Sequence, residues 1–492
     1  MSKAKKLILF ALAACLAVSC ALPLQAKEFT DDPKKPYEIN WYPLYGQEQP
    51  DIASVEKAVN EYLRTKLPNT TLKINVMHWG SWWGKMPTMI QSGEYMDIFF
   101  VASWWGPYYD LVRQGALLPL NELLDKYGKD LKKALGPQFI EGAKINGKLY
   151  AIPVNKENAT SAGIIFNKKY LDKYKFDLNK LKKPEDIEPW LEIIKKNEPN
   201  VIPWACQDNQ GLFNLLPYRY FINDVIPGAV VWNDKKGKVV NQWEQPDLLH
   251  YIDVMRRWHE KGYVEPDAAF NGKLSEHIQF GRCFAAYAPL KPGKDKEMSN
   301  EHVTWVQKEF TPVTSSHSEA TGAMHAISVT SKNPARVMKF LNLLWTDKKL
   351  ANLIFWGVEG KHYVKVGEDY VRPIPDSGYT LVGQHWAFGN QFLCYLKEGE
   401  EPDKWTKFRE FNKKAQITVD SGFYFDKVPY TAELAALQSV ADEYNGLRCG
   451  AFENPRAKIQ EMLAKMKKAG LDKVLQAEQE QFAAWLKQKG MK

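Results

Sequence analysis

Aromatic side chains, rather than nucleophiles or metal ligands, are the main chemical resource of this chain. Its 492 residues include 17 Trp, 23 Tyr and 23 Phe, more ring surface than a core of this size needs. Their positions are informative. Trp104 and Trp105 follow directly on the apolar run 96–102. Trp79, Trp82 and Trp83 follow the alternating stretch 72–77, and Tyr45 follows the first candidate strand. In open α/β sheets, ligands sit beyond the carboxyl ends of the strands, so three successive strand ends aim rings at one crevice. The ligand such rings suit is a sugar. A pyranose offers a face of C–H bonds to an aromatic ring and a rim of hydroxyls to amides and acids. Each ring contact adds about 0.5–1.5 kcal/mol beyond burial, and several together reach micromolar affinity, about −8 kcal/mol.

Catalytic signatures are missing. The sequence has no G-x-x-x-x-G-K-[ST] phosphate loop and no G-x-S-x-G nucleophile elbow. His259-Glu260 lacks the second His of a zinc protease, the nine histidines show no metal-ligand spacing, and no EF-hand loop occurs. A binding protein with no cofactor and no metal is the expectation. Paired carboxylates of a glycosidase cannot be read from spacing, so a secreted polysaccharide-active enzyme remains the competing class.

The elements that must carry these residues alternate. Tyr37–Tyr42 reads as a strand closed by Pro43, and Asp51 as the N-cap of a helix using Ile52, Val55, Val59, Tyr62 and Leu63. A second strand, a short helix over 83–91 and the buried run 96–102 complete a βαβ pattern of mostly parallel sheet. Asn146-Gly147 turns a hairpin, and Ser161 opens another strand. One amphipathic helix is predicted over 184–197. Residues 322–330 read as a strand, after which Asn333-Pro334 caps a helix reaching Trp345. From Thr431 the pattern is almost wholly helical, broken near 446–455 and at Gly470. Two α/β lobes and a helical C-terminal region account for this order.

The ends and charges agree with export. Lys3, Lys5 and Lys6 precede an apolar run to Leu24, the form of a secretory signal. Cleavage after Ala26 is the favoured processing route, and lipidation at Cys20 the alternative. The net charge of +8, from 66 basic and 58 acidic residues, is scattered along the chain and not gathered as a nucleic-acid reader requires. Cys206, Cys283, Cys394 and Cys449 lie far apart, with no C-x-x-C pair. Export permits disulfides among them, and three connectivities stay open.

Several segments together resemble bacterial extracellular solute-binding proteins of carbohydrate ABC importers, in a subfamily, often lipoproteins, with its own C-terminal domain of unknown function. They include Tyr108-Tyr109, Gly115-Ala116-Leu117-Leu118-Pro119, 155–160 and Ser331-Lys332-Asn333-Pro334. Gly357-Val358-Glu359-Gly360-Lys361-His362-Tyr363, Phe388-Gly389-Asn390-Gln391-Phe392 and Gly422-Phe423-Tyr424-Phe425-Asp426 are similarly characteristic, as is the tail from Lys468 to Val474. The resemblance implies an α/β, two-lobed periplasmic-binding-protein fold whose lobes close about a hinge on one solute. It also implies an ABC-transporter permease as partner, and no catalysis.

The expected division is a signal over 1–26, first lobe 27–155, second lobe 156–310, a return to the first lobe over 311–380, and a C-terminal region 381–492 packing on the second. Expected ligand-binding residues are Tyr45, Trp82, Trp104 and Trp105 from the first lobe and Asn155 and Lys156 at the crossing. Trp204, Tyr287 and Trp386 are added from the second half. The ligand is a sugar or oligosaccharide and the protein a monomer, in the periplasm or on the extracytoplasmic face of the membrane. A peptide-binding relative is the third class, because aromatic sites also accept peptide side chains.

Overall fold

The computed structural model describes residues 29–104 and 107–491. The signal segment, Cys20 and Trp105 therefore lie outside the described residues. Two sheets organise two lobes. In the first, the strand order is Thr70–Ile74, Tyr37–Tyr42, Ile98–Val101, Met324–Ile327 and Ala151–Pro153. The first three run parallel, and Met324–Ile327 lies antiparallel between its neighbours, with Met324 opposite both Val101 and Pro153. All four residues of Ile98–Val101 are fully buried, as a continuous apolar strand covered on both faces must be. Helix Ile52–Lys66 buries Val55, Val59 and Leu63 at four-residue spacing.

The second sheet runs Trp305–Glu309, Ser161–Asn167, Cys283–Leu290 and Ile202–Ala205. Gly163 has a steric reason to be there: a Cβ would lie 2.1 Å from the Lys308 carbonyl oxygen of the adjacent strand.

Three chain segments join the lobes. Thr160 pairs with Thr314 through reciprocal backbone bonds of 2.9 and 2.8 Å. Thr314 and Ser315 then pair in parallel with Gln416 and Ile417. Three short extended segments therefore lie side by side, the arrangement about which two lobes can hinge.

The C-terminal helices Thr431–Asp442, Pro455–Lys468 and Leu471–Gln488 pack on the second lobe. Leu437, Met462, Met466 and Val474 meet Tyr218, Ile226, Trp243 and Ile252, while Phe423, Phe425, Phe482 and Leu486 cover Val230. Among the described residues no helix is long and apolar enough to cross a membrane.

Some expectations need correction. The return to the first lobe does not end at 380. Leu381, Ala387, Phe388 and Cys394 belong to the first core, and the last crossing lies at Gln416–Ile417. The segment is held by Asn390, whose side-chain amide donates to the Trp345 carbonyl at 2.8 Å, and not by any periodic pattern that sequence reading would detect. Asp51 precedes its helix without capping it. Its carboxylate accepts instead from Ser54 Oγ at 2.7 Å and from His362 Nε2 at 2.8 Å. Residues 184–197 form a 3₁₀ turn, Pro184–Ile187, leading into helix Glu188–Asn197. The helix expected from Trp83 begins at Trp79.

Candidate ligand-binding cleft

A cavity of about 600 Å³ opens where the two lobes face each other. The first lobe contributes Ser103, Trp104, Tyr109, Asp110 and Arg113. His317 and Ser318 come from the second crossing, and Arg219 to Ile222, Asp420, Phe423 to Phe425 and Lys427 line the opposite wall.

Trp104 stands where the strand Ile98–Val101 ends. Its indole N–H donates to the Gly322 carbonyl at 2.6 Å, so the ring is fixed while 48% of the residue stays exposed. Trp79 and Trp386 flank it at 5.7 and 6.3 Å between ring centroids, and Phe100 lies beneath at 6.3 Å. These rings form a rigid apolar platform at the cavity edge, the surface a pyranose face needs.

Deeper in, Tyr109 stacks on Tyr424 with centroids 3.8 Å apart and planes 15° from parallel. The Tyr109 hydroxyl bonds to His317 Nε2, and His317 Nδ1 to the Gly142 carbonyl. A carbonyl only accepts, so Nδ1 carries the proton and Nε2 accepts from the tyrosine. Burial pushes the His317 pKa down, which keeps the imidazole neutral and the tautomer fixed. His325 lies under the site, with Nδ1 accepting from Trp41 at 3.3 Å and Nε2 donating to the Ala387 carbonyl at 2.9 Å. Burial holds it at about 4.

The polar wall is built on Arg219. Its Nη2 reaches Ser316 Oγ, and Ser318 Oγ at 3.1 Å, while Nε lies 3.6 Å from an Asp420 carboxylate oxygen. Arg219 Nε and Asp420 Oδ1 are buried and make no hydrogen bond within the described protein. Arg219 and Asp420 line the same cavity as Trp104, so charged hydrogen-bonding groups and an aromatic platform, the two things a hydroxyl-rimmed ring requires, meet in one place.

The expected site residues divide. Trp104 lines the cavity and Trp386 supports it. Tyr45 and Trp82 are corrections: both are fully buried, Tyr45 against Phe388 at 5.3 Å and Trp82 against Phe100 at 5.8 Å. Trp204 is likewise core, packed on Trp258 at 5.5 Å. Each ring turns into a core: Tyr45 under the distant residues Tyr379 and Phe388, Trp82 from its own helix onto the strand residue Phe100, and Trp204, inside its strand, under Trp258 of helix Pro246–Glu260. Tyr287 sits half-buried on the second sheet opposite Ile164, outside the cavity lining, and burial pushes its hydroxyl up to about 12.

Asn155 is a fastener of the crossing. Its amide donates to Ala134 at 3.0 Å, while its backbone pairs with Gly389 and Gln391 at 2.9 Å each. Lys156 belongs to a nearly buried ion cluster with Glu157 and Lys291. Burial would raise the Glu157 carboxyl, but Lys156 and Lys291 outweigh it and hold it at about 2.

Sequence reading did not nominate Tyr109, Tyr424, Arg219, His317 or Asp420. Tyr109 and Tyr424 stood in two of the characteristic segments, which was the available signal. Among the described residues no group of three or more His, Cys, Asp or Glu could hold a metal ion.

Residues 45–349 match the model of the bacterial extracellular solute-binding protein family. The chain belongs to that family. It is a solute-binding protein and not an enzyme. Residues 420–487, which include Tyr424 and most of the C-terminal helices, match a domain of unknown function, DUF3502.

A relative from Streptococcus pneumoniae, described as a carbohydrate ABC transporter substrate-binding protein, is 29% identical over 97% of both chains. The crystal structure of the N-glycan transport solute-binding protein NgtS of the same species superposes with a TM-score of 0.83. It is 27% identical, over 92% of this chain and 100% of that one. An HMO-binding, ABC-transporter-associated solute-binding protein from Bifidobacterium longum infantis, at 15% identity and a TM-score of 0.61, shares the fold.

Proposed function

We propose that this solute-binding protein captures an oligosaccharide between its lobes and hands it to the permease of an ABC importer. The observation that carries this is the pairing, across one cavity of about 600 Å³, of the Trp104 platform with the Arg219–Asp420 wall. A cavity of that size suits a small oligosaccharide. The rings would cover sugar C–H faces, Arg219 Nε would donate to a ring or hydroxyl oxygen, and Asp420 would accept from a hydroxyl.

Hinge closure would complete the site. The relative NgtS supports this: its complexes with Man1GlcNAc and Man5GlcNAc superpose on this chain at TM-scores of 0.72 and 0.69, against 0.83 for the structure described without a sugar. Sequence identity is the same in all three, so the difference lies in conformation. The chain described here superposes better on the structure described without a sugar. Export, with processing at Ala26 or lipidation at Cys20, would bring a monomer to the face of the membrane where the permease receives it.

The test is a tryptophan-fluorescence and calorimetric titration against mannose–N-acetylglucosamine glycans, plant oligosaccharides and peptides. Saturable binding to at least one oligosaccharide, with the sugar recovered uncut, is the expected result. Response to peptides alone, or cleavage of the sugar, overturns the reading.

A further inference from the structure

We propose that Cys206 and Cys449 are joined by a disulfide in the exported protein, fastening the C-terminal helices to the sheet of the second lobe. The two sulfurs lie 3.7 Å apart and both residues are buried, although 243 positions separate them in sequence. Cys206 directly follows the strand Ile202–Ala205, and Cys449 ends the 3₁₀ turn Leu447–Cys449. A disulfide bond of about 2.05 Å asks the sulfurs to close by roughly 1.7 Å, shared between two side chains.

The backbone on both sides is already fixed by contacts that need no disulfide. Gly446 N donates to Asp208 Oδ1 at 2.7 Å, and Arg448 reaches Asp208 and Asp224 at 2.6 Å each. Gly450, at φ +79°, lies so close to the Met255 carbonyl that a Cβ would stand 2.2 Å from its oxygen. The turn therefore delivers Cys449 to Cys206 and to no other thiol. Cys283 and Cys394 instead point their sulfurs at the carbonyls of His277 and Tyr395.

The chemistry balances as thiol–disulfide exchange. One cysteine thiolate attacks the disulfide of an extracytoplasmic dithiol oxidant and releases one of its sulfurs, giving a mixed disulfide. The second cysteine thiolate attacks the protein sulfur of that intermediate. The oxidant leaves as a dithiol, having taken two electrons and the two protons of the thiols. The hydrogen bond with Cys449, together with burial, pushes the Cys206 thiol up, so exchange belongs to the stage before the turn docks. Once docked, the bond is shielded from reductants. The inference rests on export for its oxidant, but not on the identity of the sugar.

The experiment uses full-length protein recovered from the extracytoplasmic fraction, denatured and alkylated with iodoacetamide before and after reduction, then peptide-mapped. Cys283 and Cys394 are expected to label at once, and Cys206 and Cys449 only after reduction. Before reduction, their two peptides should appear linked, about 2 Da lighter than the sum of the free-thiol peptides, the mass of the two hydrogens lost. Full labelling of all four without reduction overturns the proposal. Reduced protein refolded in a glutathione redox buffer forms a second arm. The same pair is expected there, and mixed connectivities or glutathione adducts alone overturn the geometric argument whatever the compartment. Reductant should also lower the melting temperature of the wild type and leave that of the C206S/C449S double variant unmoved. Protein isolated with all four thiols free that still binds oligosaccharide would overturn the disulfide and leave the functional reading intact.

Discussion

Tyr109 and Tyr424 lie face to face at 3.8 Å, one ring from the first lobe and one from the C-terminal region packed on the second. The stack forms the inner wall of the cavity and is the point where the family-wide lobe meets the DUF3502 segment. Tyr424→Ala removes the half-buried partner without opening a core. It is expected to weaken oligosaccharide binding about 5–10-fold, in keeping with an aromatic contact of about 1 kcal/mol, with little change in melting temperature. Calorimetry beside thermal denaturation checks both halves of this statement.

The hydroxyl of Tyr109 has a separate role. Tyr109→Phe keeps the ring and leaves His317 Nε2 without its donor. A stability loss of about 1–2 kcal/mol is expected from the unpaired buried nitrogen, measured by urea denaturation. Unchanged stability would mean that the imidazole finds another partner.

Trp104 and Trp204 should separate binding from folding. Trp104→Ala strips the exposed platform and is expected to reduce affinity tenfold or more, about 1.4 kcal/mol, with the fold preserved. Trp204→Ala empties a core site against Trp258 and should cost about 3–5 kcal/mol of stability. Denaturation curves and sugar titrations on both variants test the contrast, and equal behaviour of the two would refute it.

How much of this was legible in the sequence depends on the range of the signal. The all-buried strand Ile98–Val101 announced itself by four consecutive apolar residues. The helix Pro334–Thr346 did so by Asn333, whose side chain accepts from the Arg336 N–H at 3.0 Å. Both are local signals. Strand-end rings were a weaker guide, because the same position served the cleft at Trp104 and the core at Tyr45 and Trp82. The difference is set by what packs above each ring, and that comes from distant segments such as Tyr379 and Phe388. The Tyr109–Tyr424 and Arg219–Asp420 pairs depend on three chain crossings whose register no periodicity encodes.

Glu478 gives a pH signature. Its carboxyl is fully buried against Gly228 and makes no hydrogen bond within the described protein, and burial raises its pKa to about 8. The folded state thus favours the protonated form. The stability this gives is complete below the unfolded value near 4.5 and is lost as pH rises through about 8. Between those limits each pH unit costs up to about 1.4 kcal/mol. Glu478→Gln is expected to be the more stable protein at pH 8 and to lose this slope, as chemical denaturation at a series of pH values would reveal.

Glu157 should behave in the opposite sense. Lys156 and Lys291 hold its carboxyl at about 2, so its contribution is complete above the unfolded value near 4.5 and disappears as pH falls toward 2. Glu157→Gln leaves two lysines close together without their counter-charge and should cost on the order of 3 kcal/mol at pH 7. The gap between variant and wild type is expected to narrow below pH 4, and thermal scans from pH 3 to 7 measure it.

The strand Met324–Ile327 sits inside the first sheet, between Ile98–Val101 and Ala151–Pro153. A chain emerging from a ribosome or a translocation pore with only its first 300 residues free therefore has a gap in the middle of its N-terminal lobe. Two strand edges stay unpaired and the buried run beside Trp41 remains open. The first sheet is therefore completed only after the strands of the second sheet, the last of which ends at Glu309, have been made. The late arrival of one central strand thus ties completion of the first lobe to the return of the chain from the second.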